Sequence, residues 1–168
     1  MTHSELVERA ARWLRKRCAV TITEMSGQRV EPDALGFGRG ISIFIECKAS
    51  RADFCREKYK ASHRTDQHMG TLRYYMAPKG LLKQDDLPEG WGLLEVAGQR
   101  IRQTVKAEAH NEKDWRSEQG LLVSALRRIG EKSPRGTYVR FYPYAAPRNG
   151  HVPRATLGVS QKSDSETK

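Results

Sequence analysis

The sequence has no apolar run long enough to cross a bilayer, and it has few cysteines. A membrane-spanning helix needs about 20 consecutive apolar residues, whereas segment 1–17 carries charges throughout and has no signal-peptide stretch. The three cysteines, Cys18, Cys47 and Cys55, form no C-x-x-C pair, which argues against a zinc ribbon or a disulfide framework. We therefore expect a cytoplasmic protein.

A nucleotide-binding loop is also missing. The segment 36–40 is rich in glycine, but no predicted helix follows it and the sequence has no G-K-[S/T] motif there. A hairpin turn is the better interpretation of these glycines. The sequence therefore gives no support for an NTPase.

The chain is long enough for one domain with its own core. Of its 168 residues, 38% are hydrophobic and 30% are charged, which is typical of a folded protein. We predict a domain over residues 1–132 and a basic, loosely ordered tail over 133–168, where prolines and glycines are frequent. Lys and Arg exceed Asp and Glu by 10, which favours a polyanionic partner such as nucleic acid.

Hydrophobic periodicity predicts a mixed α/β chain. Thr2 or Ser4 can cap the first helix, and Ser50 can cap the second. The closing helix has an apolar stripe of Trp115, Leu122, Leu126 and Ile129. The predicted helices are 2–17, 49–63 and 112–131, and the predicted strands are 19–23, 31–37, 41–48, 71–76, 91–96 and 101–105.

The third predicted strand ends in an acid and an amine that share one face. Side chains alternate along a strand, so Glu46 and Lys48 point to the side opposite Cys47. Asp33 precedes the hairpin that leads into this strand, and the hairpin can fold it back beside Glu46. Two carboxylates so placed repel each other unless a cation lies between them. Mg²⁺ suits such oxygen ligands, and Lys48 could orient or deprotonate a water molecule and offset charge on a phosphodiester.

These residues resemble the P-D…(D/E)-x-K signature of the PD-(D/E)XK nuclease superfamily. The signature is carried by Pro32-Asp33, the hairpin, and Glu46-Cys47-Lys48. Longer stretches around 31–36, 45–54 and 73–78 resemble the MmcB-like DNA-repair proteins of bacteria and phages, and the resemblance covers about residues 1–106. It implies a restriction-endonuclease-like αβββαβ core with a mixed central sheet flanked by helices. It also implies a metal-dependent nuclease that acts on DNA, in repair or in phage DNA processing, with RNA not excluded.

The resemblance also implies roles for single residues. Asp33, Glu46 and the backbone carbonyl of Cys47 would bind Mg²⁺, for which Mn²⁺ could substitute, and Lys48 would be the catalytic base or an electrostatic stabiliser. Superfamily members often add an acid from the first helix. Glu5 or Glu8 could supply it, and Glu24 competes with both. The basic residues of the second helix would line the nucleic-acid path, and these are Arg51, Arg56, Lys58 and Lys60. A homodimer is compatible, since nucleases that cut both strands often pair symmetrically.

Several alternatives compete with this interpretation. The leading one is a catalytically inactive nuclease-fold module that binds nucleic acid without cutting it. His63, Asp66 and His68 could suggest a second metal site, but they lack a fourth ligand, and we expect them to be exposed to solvent. Tyr74 and Tyr75 could stack on bases, yet neighbouring strand residues face opposite sides, so at least one should be core. Trp13 and Trp91 are assigned to packing.

Overall fold

A computed structural model of the chain describes residues 1–25, 31–61, 69–130 and 139–140. Each predicted helix and strand is present, with ends that differ from the prediction by a few residues. A short 3-10 helix, Gln84–Asp86, and a two-residue strand, Val139–Arg140, were not predicted. The elements are α1 (His3–Arg15), β1 (Val20–Thr23), β2 (Ala34–Phe37), β3 (Ser42–Cys47), α2 (Arg51–Ala61), β4 (Leu72–Pro78), β5 (Gly92–Ala97), β6 (Arg100–Val105), α3 (Trp115–Gly130) and β7 (Val139–Arg140).

The described strands form one mixed sheet in the order β6-β5-β4-β3-β2-β1-β7. Strand β2 is antiparallel to both β1 and β3, while β3, β4 and β5 are parallel to one another. At the two edges, β6 is antiparallel to β5 and β7 is antiparallel to β1. The predicted α/β class with a mixed central sheet is therefore confirmed, and α1, β1, β2, β3, α2 and β4 follow in that order.

Both faces of β3 are covered, which confirms the predicted alternation along this strand. Ile43, Ile45 and Cys47 pack in one cluster with Leu6, Ala10 and Leu14 of α1. Phe44 belongs to the cluster on the other face, together with Phe54 of α2 and Leu121 of α3. The side of β3 that carries Glu46 is therefore the side covered by α2 and α3.

Trp13 and Trp91 are packed in the core, as predicted. Trp13 meets Tyr74 edge to face, with the ring centroids 5.7 Å apart. Trp91 stacks on Tyr75 with the centroids 4.7 Å apart, and Phe54 lies edge to face against the same tyrosine. Both tyrosines are buried, one in each cluster, so neither is placed to stack on a base.

Capping side chains fix the first turns of α1 and α2. The Thr2 hydroxyl accepts a hydrogen bond from the Glu5 backbone N–H at 3.3 Å, and the Glu5 carboxylate accepts one from the Thr2 N–H at 2.7 Å. This reciprocal pair is a capping box, and it selects Thr2 over Ser4. The predicted cap of α2 is confirmed, since the Asp53 N–H donates to the Ser50 hydroxyl at 3.1 Å.

The buried face of α3 differs from its predicted apolar stripe. Among the described side chains of α3, Trp115 and Leu126 are exposed, Leu122 is partly buried, and the buried ones are Glu118, Leu121 and Ala125. The side chain of Ile129, the fourth residue of the predicted stripe, lies outside the described part of the chain. The helix is rotated so that Glu118 faces the sheet, where it accepts hydrogen bonds from Ser42 and Gly70. A buried carboxylate with polar partners thus decides which face of α3 packs, and an apolar pattern cannot reveal that.

The sheet extends past the predicted domain boundary at residue 132. In β7, Arg140 pairs with Thr21 and Val139 pairs with Ile22, so these two positions of the predicted tail belong to the sheet. Most of the predicted tail, and the residues His63, Asp66 and His68, lie outside the described residues. Across the part of the chain that the structure describes, no helix combines the length and apolarity needed to span a membrane.

Candidate functional site

Strands β2 and β3 bring Asp33 and Glu46 together at one end of the sheet. Ala34 pairs with Ile45 in the antiparallel register, so the next positions outward are Asp33 and Glu46. The Cys47 N–H donates to Asp33 Oδ2 at 2.7 Å, which holds the aspartate against the end of β3. Both carboxylates are largely shielded, with 16% of the Asp33 side chain and 14% of the Glu46 side chain exposed.

Burial raises the pKa of both acids, and the nearby Asp33 raises that of Glu46 further. The pKa of Glu46 rises to about 7, chiefly because burial penalises the charged form, then because Asp33 lies close, with Lys48 opposing the shift. Burial also raises the pKa of Asp33, against the opposing effects of the Cys47 N–H, His3 and Lys48. Two buried acids that oppose each other's ionisation form a site at which a cation would be stabilised.

The side-chain amine of Lys48 lies beside this acidic pair, in contact with Glu46. Its Nζ lies 3.2 Å from Glu46 Oε1, and only 5% of its side chain is exposed. The Lys48 N–H donates to the Met76 carbonyl at 2.9 Å, which continues the β3–β4 ladder one residue beyond β3. The extended backbone therefore directs Lys48 to the same side as Glu46, as the alternation predicts.

The raised pKa of Glu46 gives the metal-free protein a testable pH dependence. Between about pH 4.5 and 7, the folded protein keeps a proton on Glu46 that the unfolded chain releases. The free energy of unfolding should therefore fall as the pH rises through this window, by about 3 kcal/mol at most. Glu46→Gln should flatten this part of the profile, which urea denaturation in EDTA at a series of pH values would measure.

An exposed acid provides the control for this pH dependence. Glu89 lies in the connection between β4 and β5, and Glu89→Gln should keep the wild-type slope. If Glu46→Gln also kept that slope, Glu46 would not be the group that takes up the proton.

Two further ionisable residues belong to this site and were not predicted from the sequence. His3, at the start of α1, has its Nε2 atom 3.3 Å from Asp33 Oδ1. Asp53, in the first turn of α2, lies near enough to raise the pKa of both Asp33 and Glu46. The sequence gives no signal that either residue belongs to the site, because thirty positions separate His3 from Asp33 and twenty separate Asp53 from Asp33.

Of the three candidates for an additional acid, the structure brings Glu24 to the site. The Glu24 N–H donates to the Asp33 carbonyl at 3.2 Å, and Glu24 Oε1 lies 4.0 Å from His3 Nε2. Glu24 also has a left-handed backbone, with φ at 45°, which is uncommon for a residue other than glycine. Glu5 is used in the capping box with Thr2, and Glu8 lies further along α1 with its side chain exposed.

The donor set at this site suits a hard divalent cation. Asp33 and Glu46 supply carboxylate oxygens, and each raises the cost of ionising the other, which a bound cation would relieve. Among the described residues, no group of three His, Cys, Asp or Glu side chains lies close enough together to hold a metal ion in the observed conformation. The Cys47 N–H donates a hydrogen bond to Asp33. The role of the Cys47 carbonyl as a metal ligand stays a prediction.

The basic residues predicted to contact nucleic acid have different environments. The two Arg51 amino groups each lie 2.5 Å from a different oxygen of Asp86, so the start of α2 is tied to the 3-10 helix. A phosphate would have to compete with that carboxylate for Arg51. Arg56 is exposed on α2, and the side chains of Lys58 and Lys60 lie outside the described part of the chain.

Comparison with known proteins gives a fold relative. A solved structure from Silicibacter pomeroyi, described as a protein of unknown function, is 24% identical to this chain and has a TM-score of 0.56. The match covers 77% of this chain and 90% of that chain. No family model and no curated protein matches the sequence. The similarity shows that the two proteins share a fold.

Proposed function

We propose that this protein is a metal-dependent nuclease that hydrolyses phosphodiester bonds in DNA. The observation that carries the proposal is the meeting of Asp33, Glu46 and Lys48 at one end of the sheet, with Lys48 Nζ 3.2 Å from Glu46 Oε1. The order of α1, β1, β2, β3, α2 and β4 is the order expected of a PD-(D/E)XK nuclease. Both observations support the same chemistry.

In this proposal each residue has a separate task. Asp33 and Glu46 would hold Mg²⁺ or Mn²⁺, which when bound would neutralise the carboxylates and polarise the scissile phosphate. The Cys47 N–H orients the Asp33 carboxylate through Oδ2. Lys48 supplies a positive charge where the phosphate gains negative charge, in a setting shielded from bulk water. Burial strengthens these electrostatic interactions, since the effective dielectric constant there is lower than in water.

DNA is the proposed substrate because of the charge of the chain and the position of α2. The excess of 10 basic residues provides phosphate contacts without sequence preference. The helix α2 follows β3 directly and presents Arg56 to solvent. Cys18, Cys47 and Cys55 are all free thiols, which fits the reducing cytoplasm that the proposal assigns to the protein.

A cleavage assay tests this proposal. Purified protein should cut at least one of single-stranded, duplex, flapped or branched DNA when Mg²⁺ or Mn²⁺ is present, and EDTA should stop the reaction. Asp33→Asn should abolish cleavage because it removes one charged metal ligand and leaves a side chain of similar size. The same assay on RNA would show whether the substrate class is wider.

Asp85→Asn is the matched control for the aspartate variant. Asp85 is exposed in the 3-10 helix, so its replacement should leave cleavage unchanged. Cleavage that survives Asp33→Asn would remove the assignment. Salt-sensitive DNA binding without cleavage, unaffected by Asp33→Asn, would instead identify a binding module.

A further inference from the structure

An ion pair joins the start of α2 to the 3-10 helix at the end of the sheet that carries Asp33 and Glu46. Arg51, three residues after Lys48, donates from its two amino groups to the two different oxygens of Asp86. Because β4 is parallel to β3, the connection that follows β4 leaves the sheet at the end where Glu46 lies. The ion pair is therefore at the same end of the sheet as the proposed catalytic residues.

We propose that Asp86 takes the place of a DNA phosphate on Arg51, and that Arg51 exchanges this carboxylate for a phosphate when DNA binds. The inference rests on the proposed function, because it takes DNA as the ligand. A guanidinium binds a carboxylate and a phosphate with the same pair of parallel hydrogen bonds. Asp86 accepts from Arg51 with both of its oxygens, which is the arrangement that two phosphate oxygens would take.

The two partners of this ion pair differ in how firmly they are held. Asp86 Oδ2 also accepts the Lys83 backbone N–H at 2.8 Å, and only 17% of the Asp86 side chain is exposed. By contrast, 51% of the Arg51 side chain is exposed, and its contact with the Leu81 carbonyl is long, at 3.5 Å. The arginine is therefore the partner that a phosphate can reach and the one that can move.

The exchange requires little energy. An ion pair as exposed as that of Arg51 with Asp86 contributes little to stability, because water already solvates both charges. Asp86 keeps its hydrogen bond from the Lys83 N–H after the arginine leaves. A new phosphate contact also releases counterions from DNA, which favours binding at low salt. Asp86 therefore lowers the affinity for DNA without blocking the arginine.

A purely structural role for the ion pair makes a different prediction. If the pair only fastens α2 to the 3-10 helix, Asp86→Asn should leave DNA binding unchanged or weaken it. If Asp86 competes with phosphate, Asp86→Asn should strengthen binding by about two- to fivefold, because the ion pair no longer opposes the exchange. The asparagine oxygen can still accept the Lys83 N–H, so the 3-10 helix should keep its cap.

Fluorescence anisotropy of the full chain with labelled DNA measures this effect. The probes are a labelled duplex and one of its single strands, in EDTA so that no cleavage occurs. Asp85→Asn is the matched control, because Asp85 is exposed in the same 3-10 helix and its replacement removes the same charge. Asp86→Asn should bind DNA more tightly than Asp85→Asn does. Circular dichroism of each variant checks that the protein is folded.

Removal of the arginine gives an independent readout. Arg51→Gln should weaken DNA binding and make it less dependent on salt. The slope of the logarithm of the binding constant against the logarithm of the KCl concentration should decrease by about 0.7–0.9, the value of one phosphate contact. When Arg51 is already glutamine, Asp86→Asn should strengthen binding no more than Asp85→Asn does.

The outcomes separate this inference from the proposed function. An Asp86→Asn variant that binds DNA no more tightly than Asp85→Asn overturns the exchange alone, and so does an unchanged salt dependence in Arg51→Gln. A gain from Asp86→Asn that persists without Arg51 also overturns it, since the carboxylate would then act on DNA directly. A wild type that binds neither probe overturns the exchange together with DNA as the proposed substrate.

Discussion

Lys48→Met is expected to lower the rate of DNA cleavage by about 10²–10³-fold, while Mn²⁺ still binds. The change removes the ammonium that lies 3.2 Å from Glu46 Oε1 and keeps an unbranched apolar side chain in its buried position. Asp33 and Glu46 remain as oxygen donors, so the ion should be retained. Single-turnover cleavage rates and titration with MnCl₂ measure the two effects separately.

The lysine experiment has an internal comparison in Lys79→Met. Lys79 is exposed just after β4, and its replacement should change the cleavage rate little. If Lys48→Met lost Mn²⁺ binding together with cleavage, the lysine would be needed to organise the acids. If Lys48→Met cut DNA at the wild-type rate, Lys48 would have no catalytic role.

Glu118→Ala is expected to lower the free energy of unfolding by about 3–5 kcal/mol. Glu118 is 6% exposed, and its Oε1 accepts hydrogen bonds from the Ser42 hydroxyl at 2.7 Å and from the Gly70 N–H at 2.8 Å. Its Oε2 lies 2.8 Å from Lys113 Nζ, which also donates to the Ser42 hydroxyl. Alanine would leave three donors without this acceptor, and unsatisfied buried donors are costly.

Urea denaturation of two further variants would show whether the loss in free energy of unfolding comes from the hydrogen bonds and charge of Glu118. Glu112→Ala changes an exposed acid in the segment just before α3 and should cost little. The loss in free energy of unfolding for Glu118→Gln should lie between those of Glu112→Ala and Glu118→Ala, because an amide oxygen still accepts hydrogen bonds but carries no charge for Lys113. A loss below about 1 kcal/mol for Glu118→Ala would mean that other groups or water replace the carboxylate.

The Glu118 contacts bear on the site because they hold the starts of the two central strands. Ser42 is the first residue of β3, whose other end carries Glu46. Gly70 precedes β4, which runs parallel to β3 and accepts the Lys48 N–H through Met76. The alignment of these strands thus depends on α3. Loss of the Glu118 contacts would therefore shift β3 and β4 and so disturb the site at their other ends.

Local patterns predict much of this fold and the centre of the site. The alternation of Ile43, Ile45 and Cys47 with Glu46 follows from strand geometry, and the structure confirms it. The capping position Ser50 is a signal of the same local kind. The approach of Asp33 to Glu46 needs only one hairpin, which the glycines at 36, 38 and 40 indicate.

Contacts between residues distant in sequence account for what could not be predicted. His3 reaches Asp33 only because α1 packs across the sheet, and Arg51 meets Asp86 only because the 3-10 helix lies beside α2. The rotation of α3 depends on Glu118, a charged residue that hydrophobic periodicity assigns to the surface. In each case a polar side chain takes its position from tertiary structure, which a periodic pattern does not encode.

The strand β7 has a practical consequence for any shortened form of this protein. Without Val139 and Arg140, the backbone N–H and C=O groups of β1 that pair with them would lose those partners. An unprotected strand of this kind invites pairing with other molecules and aggregation. Strand β1 also leads directly into Glu24. A deletion meant to test the basic C-terminal residues should therefore begin after Arg140. A protein that ends at residue 132 would lose both the basic residues and the pairing of β7 with β1, so the two effects could not be separated.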